Sequence, residues 1–266
     1  MTLATGMERY AEYHADKYRE LASEGELKDA NLNKARLYFQ SEERTRTLRN
    51  QRSGMLNKGQ LVSAYTGNQH VFKRDRTKKV LKNTRVQLMI DCSGSMCGDK
   101  VVYAAHTALQ IIRLCSIMNV DTEAVGFSSK GQGAVHYLYK VFGKRLKRPE
   151  DFLKGFWRSM PYALNQNHDG DSILFGRRRL LKEGKQYRKI MFVLSDGMPA
   201  CSRRGDSYAF AEKVIDMIER EPYIEIYGIG MMDRCVEALY SKCMVVEHIQ
   251  NLEEQLLGFF KKVVYN

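Results

Sequence analysis

From residue 86 to the C-terminus, short apolar runs alternate with longer stretches in which apolar residues recur every three or four positions. The short runs read as buried strands and the longer stretches as amphipathic helices. Strands are predicted over residues 86–90, 121–127, 134–142, 189–194, 223–229 and 244–247. Helices are predicted over about 99–118, 149–156, 171–181, 207–220, 233–240 and 251–263, with a polar loop over 160–170. Strands alternating with helices imply an α/β fold: a doubly wound, mostly parallel sheet with helices on both faces. Residues 134–142 could instead sit at the sheet's edge as an antiparallel strand.

The first third of the chain has a different grammar. Residues 7–24 carry Tyr10, Tyr13, Tyr18 and Leu21 at helical spacing, and a helical pattern resumes over 27–50. A short helix, a loop and an extended basic segment follow, so the reading is a helical, basic N-terminal extension over 1–82 and an α/β domain over 83–266. Charge separates the two. Residues 31–85 hold fourteen Lys and Arg against three Asp and Glu, whereas 86–266 hold twenty-five against twenty-one, within a chain of net charge +12. The basic segment is either a solvated face or a surface that attracts nucleic acid or an acidic protein.

Composition narrows the class. With 44% hydrophobic residues in 266, the chain can bury a sizeable core. No apolar run approaches the ~18 residues of a membrane span. The first thirty residues lack the apolar region of a secretory signal. Six cysteines show no C-x-x-C pair and no zinc spacing, which fits free thiols in the cytoplasm.

The candidate chemistry lies where the first strand of the α/β domain ends. Val86 to Met96 reads VQLMIDCSGSM, so a buried strand runs into Asp91 and then Ser93 and Ser95 at alternate positions. Carboxylate and hydroxyl oxygens on one loop suit a hard divalent cation such as Mg²⁺ or Mn²⁺. Ligands of α/β sheets sit outside the carboxyl ends of the strands, and loops bearing Asp171 and Asp196 are expected at the same edge. The expected ligand set is therefore Asp91, Ser93, Ser95, Asp171 and Asp196. Each has a plainer reading: these side chains could cap the helices that follow. Asp169 reads as a turn residue, His168 as a surface residue, Cys92 and Cys97 as packing. Arg177, Arg178 and Arg179 read as a solvated face or a docking site for an acidic partner. There is no P-loop and no nucleophile–base pair, so the chain is not expected to be an enzyme by itself.

The order DCSGSM, VGFSSKGQG, NHDGDSILFGRRRLL, RKIMFVLSDGMP and IEIYGIG resembles the von Willebrand factor A-type domain with a metal-ion-dependent adhesion site. Within that group it is similar to CobT-type cobaltochelatase subunits over roughly residues 40–266. The CobT loop Asn-x-Asp-Gly-Glu-Ala stands here as Asn167-His168-Asp169-Gly170-Asp171-Ser172. The resemblance implies that Ser93 and Ser95 bind the ion directly, that Asp91 and Asp196 act directly or through water, and that Asp171 takes the place of the usual middle-loop threonine. It implies a non-catalytic subunit that works with a CobS-like AAA+ ATPase and a large third subunit in a hetero-oligomer inserting cobalt into a corrin ring. The family's long N-terminal region with its acidic stretch has no counterpart. Two other readings stay open: an adaptor for an AAA+ motor acting on another protein or metal, and, less favoured, an RNA-binding protein using residues 31–85.

Overall fold

The structure is a computed structural model that describes residues 13, 15–19, 46–76, 83–148, 150–200, 206–248 and 252–265. The helix expected over 7–24 is helical at the described residues 13 and 15–19. The stretch 27–45 lies outside the described residues. The end of the helix expected over 27–50 is instead a strand. β1 (Arg46–Gln51) pairs antiparallel with β3 (Phe72–Arg76), as does the short β2 (Met55–Leu56). Between β2 and β3 lies the five-residue helix α1 (Leu61–Tyr65). The run RTLRNQ fits a two-residue period as well as a helical one, and its strand partner is remote in sequence.

The larger sheet has six strands: β4 (Thr84–Asp91), β5 (Asp121–Lys130), β6 (Gly133–Lys140), β7 (Arg188–Ser195), β8 (Ile224–Met231) and β9 (Cys243–Val246). Their order is β6-β5-β4-β7-β8-β9. All neighbours are parallel except β5 and β6, so the 134–142 segment is an antiparallel edge strand. The connecting helices are α2 (Asp99–Ile117), α3 (Asp151–Ala163), α4 (Asp169–Lys182), α5 (Ser207–Glu219), α6 (Val236–Leu239) and α7 (Leu252–Tyr265). α3 runs past its expected end, through Pro161, into the segment read as loop. No helix among the described residues is long and apolar enough to cross a membrane.

Alternation along the strands builds two cores, because successive side chains point to opposite faces. Val86, Leu88 and Ile90 of β4 join Ile190, Phe192 and Leu194 of β7 under α2, α3 and α7. Met89, Met191 and Val193 face the other way, against α4, α5 and α6. The second face also holds a buried polar ladder. Glu123 on β5 is fully buried and accepts from Gln87 Nε2 at 2.8 Å and from Arg179 at 2.9 and 2.5 Å. Arg177 donates to Glu221 at 2.8 Å, and only Arg178 of the three arginines is exposed. Two of the three are thus occupied within the fold.

β4 lies between β5 and β7, so the chain leaves it toward one side and returns on the other. At such a reversal the carboxyl ends of neighbouring strands open a crevice. Asp91 ends β4, and Asp196 follows β7 directly.

Candidate metal centre

Asp91 is fully buried at the end of β4. The β4–β5 ladder continues one residue past it, with the Cys92 amide donating to the Phe127 carbonyl at 2.9 Å. The chain then turns through a short 3₁₀ segment, Gly94–Met96, anchored by the fully buried Met96. The Gly94 amide donates to the Asn165 carbonyl at 2.6 Å, tying the turn to the segment after α3. This turn brings Ser93 Oγ and Ser95 Oγ to 3.0 Å from each other. Ser93 is buried and Ser95 is exposed, so the hydroxyl pair spans the boundary between core and solvent.

The Asp91 carboxylate accepts three bonds: from the Ser93 amide at 2.8 Å, from Ser195 Oγ at 3.1 Å and from Asn167 Nδ2 at 3.3 Å. Burial nevertheless pushes it up to about 6, opposed by the bonds from Ser93. Asp196 is fully buried. Its carboxylate accepts from the Met198 amide at 3.3 Å and faces Lys100 Nζ, also at 3.3 Å. Lys100 lies 3.6 Å from Asp233 as well. Gly197 turns the chain with φ +76, and a side chain there would meet the Val236 amide nitrogen at 2.5 Å. Only glycine fits that position.

The third carboxylate is Asp169, in the first turn of α4. It is 4% exposed and its Oδ2 has no hydrogen-bond partner. Burial, then the fields of Asp91 and Asp196, raise it well above the ordinary carboxylate range. For Asp171, expected from the sequence as the third carboxylate, the close contact in the structure is with His168. Its carboxylate lies 3.5 Å from His168 Nδ1, and it acts on His136, which burial pushes down to about 4. His168, expected at the surface, is 1% exposed. The side chain of His168, the residue at the α4 N-cap, makes no capping bond.

Two residues given no role by the sequence hold the site together. Asn167 donates to Asp91 and to the Met198 carbonyl at 3.1 Å, and accepts from the Ala200 amide at 2.7 Å. One side chain thus ties the segment after α3 to the end of β4 and to the loop after β7. Lys100 supplies a cation beside Asp196. The sequence signal for Asn167 was its place in the NHDGDS loop; for Lys100 there was none. Cys92 is buried with Sγ 3.6 Å from the Tyr139 hydroxyl, and the described cysteines are all unpaired thiols.

Chemically, the crevice gathers three carboxylates and two hydroxyls, all oxygen donors. Among the described residues no three His, Cys, Asp or Glu side chains are arranged to hold an ion by themselves, so a set here would combine the serine hydroxyls with fewer than three of the carboxylates as direct ligands. The orphaned buried oxygen of Asp169 and the like charges gathered around it are what a divalent cation would satisfy.

A family model described as "Cobalamin biosynthesis protein CobT VWA domain" matches residues 71–264. Among solved structures, the pilus adhesin SpaC from Lactobacillus rhamnosus GG in its open conformation is similar, with 14% identity and a TM-score of 0.54 over 72% of this chain and 31% of that one. Proximal thread matrix protein 1 from the mussel byssus is similar at 16% identity, with a TM-score of 0.51 over 68% of this chain and 47% of that one. The chain thus spans under half the length of either protein, and at these identities the likeness concerns the fold alone.

Proposed function

Because the chain belongs to the family of the CobT VWA domain of cobalamin biosynthesis, we propose that it is a non-catalytic subunit of an ATP-dependent cobaltochelatase. It would bind one Mg²⁺ or similar dication and dock through that site onto an AAA+ ATPase. The observation that carries this reading is the convergence of Asp91, Ser93, Ser95, Asp169 and Asp196 at the carboxyl ends of β4 and β7. Ser93 and Ser95 would hold the ion directly. The three carboxylates would supply the charge, and Asp171 would shape the neighbouring surface through His168. When bound, the ion supplies a fixed positive centre for a partner's oxygen ligand. The chain's own residues orient the loops, exclude water from Asp91 and hold Lys100 beside Asp196. The experiment is a pull-down with the AAA+ ATPase in Mg²⁺ and in EDTA. Binding is expected in Mg²⁺ alone; equal binding in EDTA would refute docking through the metal.

Lys100 sets a second expectation. A unit charge close to a dication opposes it by several kcal/mol at an effective dielectric of about 20. Lys100→Met is therefore expected to tighten Mg²⁺ binding more than tenfold by calorimetry. Unchanged or weaker binding would mean that the ammonium instead organises Asp196 and Asp233.

A third expectation concerns pH. The Asp91 carboxyl ionises near its ordinary 3.8 when unfolded and near 6 when folded. Between these values the folded chain holds more protons, so metal-free stability falls as pH rises through the window. A dication needs the carboxylate and therefore binds better above it. Saturating Mg²⁺ is expected to raise the Tm by several degrees at pH 7.5 and hardly at all at pH 5, read by differential scanning fluorimetry. Equal shifts at both would contradict the role given to Asp91.

A further inference from the structure

The opposite edge of the sheet, where β4 and β5 begin, carries a second charged feature. A cavity of about 410 Å³ opens there between the end of α2, the start of β5 and the loop after β6. Arg85, Lys140, Arg145 and Lys147 line it, against one acid, Asp121. That acid is already occupied. Its Oδ1 accepts from Lys140 Nζ at 3.3 Å, and its Oδ2 accepts from the Gly143 amide at 2.7 Å and lies 3.4 Å from Arg85 Nη1.

The four cations divide into two kinds. Arg85 is fixed: it also pairs with Glu183 at 3.2 Å, and its guanidinium lies 4.0 Å over the Tyr187 ring. Lys140 is fixed by Asp121 and by the Thr122 carbonyl. Arg145 and Lys147 are exposed and, among the described residues, have no ion-pair partner. The wall is therefore a rigid cationic base with two uncommitted charges at its mouth. Its remaining surface is partly apolar, with Ile112 from α2 and Leu146, which packs on the main core. A helix C-terminus ordinarily repels anions through its free carbonyls. Here the Leu114, Cys115 and Ser116 carbonyls already accept from the Met118, Val120 and Asn119 amides.

We propose that this cavity binds a small organic polyanion, a molecule carrying two or more phosphate or carboxylate charges on a partly apolar frame. The volume falls in the range of small-ligand sites, about 300–1,000 Å³, and the lining is mostly polar and charged, with Ile112, Val120 and Leu146 as its apolar part. A concave recess of this size suits a compact molecule better than an extended acidic segment of a protein, which would need a broader face. The site is separate from the metal centre: Arg85 stands at the start of β4 and Asp91 at its end, about 20 Å along the strand.

The test is calorimetric titration of metal-free protein with AMP, citrate and pyrophosphate at low salt, beside a hexaglutamate peptide. Saturable binding of AMP or citrate at one site per chain is expected, tighter than pyrophosphate, which lacks an apolar frame. The Arg145→Ala/Lys147→Ala double variant, altered only at exposed positions, is expected to lose at least tenfold in that affinity. Its Mg²⁺ affinity at the far edge should change less than twofold. The proposal is overturned if none of the three small anions binds saturably at millimolar concentration, or if the double variant binds as wild type does. It is equally overturned if hexaglutamate binds more tightly than every small anion, which would make the recess a peptide-docking site.

Discussion

Replacing Glu123 by alanine is expected to lower the unfolding free energy by about 3 kcal/mol, at the lower end of the range for breaking a buried ion pair. Glu123 is fully buried on β5 and accepts three bonds, one from Gln87 and two from Arg179. Without it, Gln87 is left with an unpaired amide in a fully buried position where its own Oε1 already lacks a partner. Arg179 loses both its bonds but can turn partly to water, since its side chain is 28% exposed. That relief is why the lower end applies. In a domain of this size the loss corresponds to a Tm drop of roughly 6–12 °C. Urea denaturation checks it, and a loss under 1 kcal/mol would show that the ladder is dispensable. Glu123→Gln, which keeps one acceptor for the Gln87 amide, should cost less.

The second large effect separates stability from binding. Asp91→Asn is expected to weaken Mg²⁺ binding at least a hundredfold while leaving the metal-free chain as stable as wild type at pH 7.5, or more so. Burial raises the Asp91 carboxyl from 3.8 to about 6, so keeping it ionised at neutral pH opposes folding by roughly 3 kcal/mol. Asparagine removes that charge. Its amide would face the Asn167 amide and the Ser195 hydroxyl, and the hydroxyl can turn to accept. A carboxylate that burdens the fold and is kept buried at the end of a strand, beside two serine hydroxyls, is the signature expected of a ligand position. A variant that lost Mg²⁺ binding only because it unfolded would show it in the same denaturation curve.

Much of this architecture was legible from the apolar runs, because strands buried on both faces, such as MFVL before Ser195, have few alternatives. The chemistry at the ends of β4 and β7 was legible for the same reason: an acid directly after a buried strand stands at the sheet's edge. The burial of Asp169 beside Asp91 and Asp196 was not. Residues two apart on a helix, such as Asp169 and Asp171, lie about 200° around its axis, so only one of the pair can face the strands. The sequence does not say which, because that depends on how α4 is rotated over the sheet. Its rotation is set by contacts remote in sequence. Gly176 lets the helix approach Gln87, Met89 and Met191 so closely that a side chain there would meet them within 2.8–3.2 Å. Arg179 is drawn to Glu123 by the same approach. β1 was missed for a similar reason: the local pattern of Arg46–Gln51 suits helix and strand alike, and its pairing with Phe72–Arg76, remote in sequence, decides for the strand.

The family places the chain among CobT VWA domains, and the account of its site rests on one oxygen-lined crevice that takes an ion. The most direct test is calorimetric titration of Mg²⁺ into wild type, Asp169→Asn and Asp171→Asn at pH 7.5. One ion per wild-type chain is expected, with at least tenfold weaker binding in Asp169→Asn and a change within twofold in Asp171→Asn. No saturable binding by wild type at millimolar Mg²⁺, or a loss carried by Asp171 instead of Asp169, would contradict it.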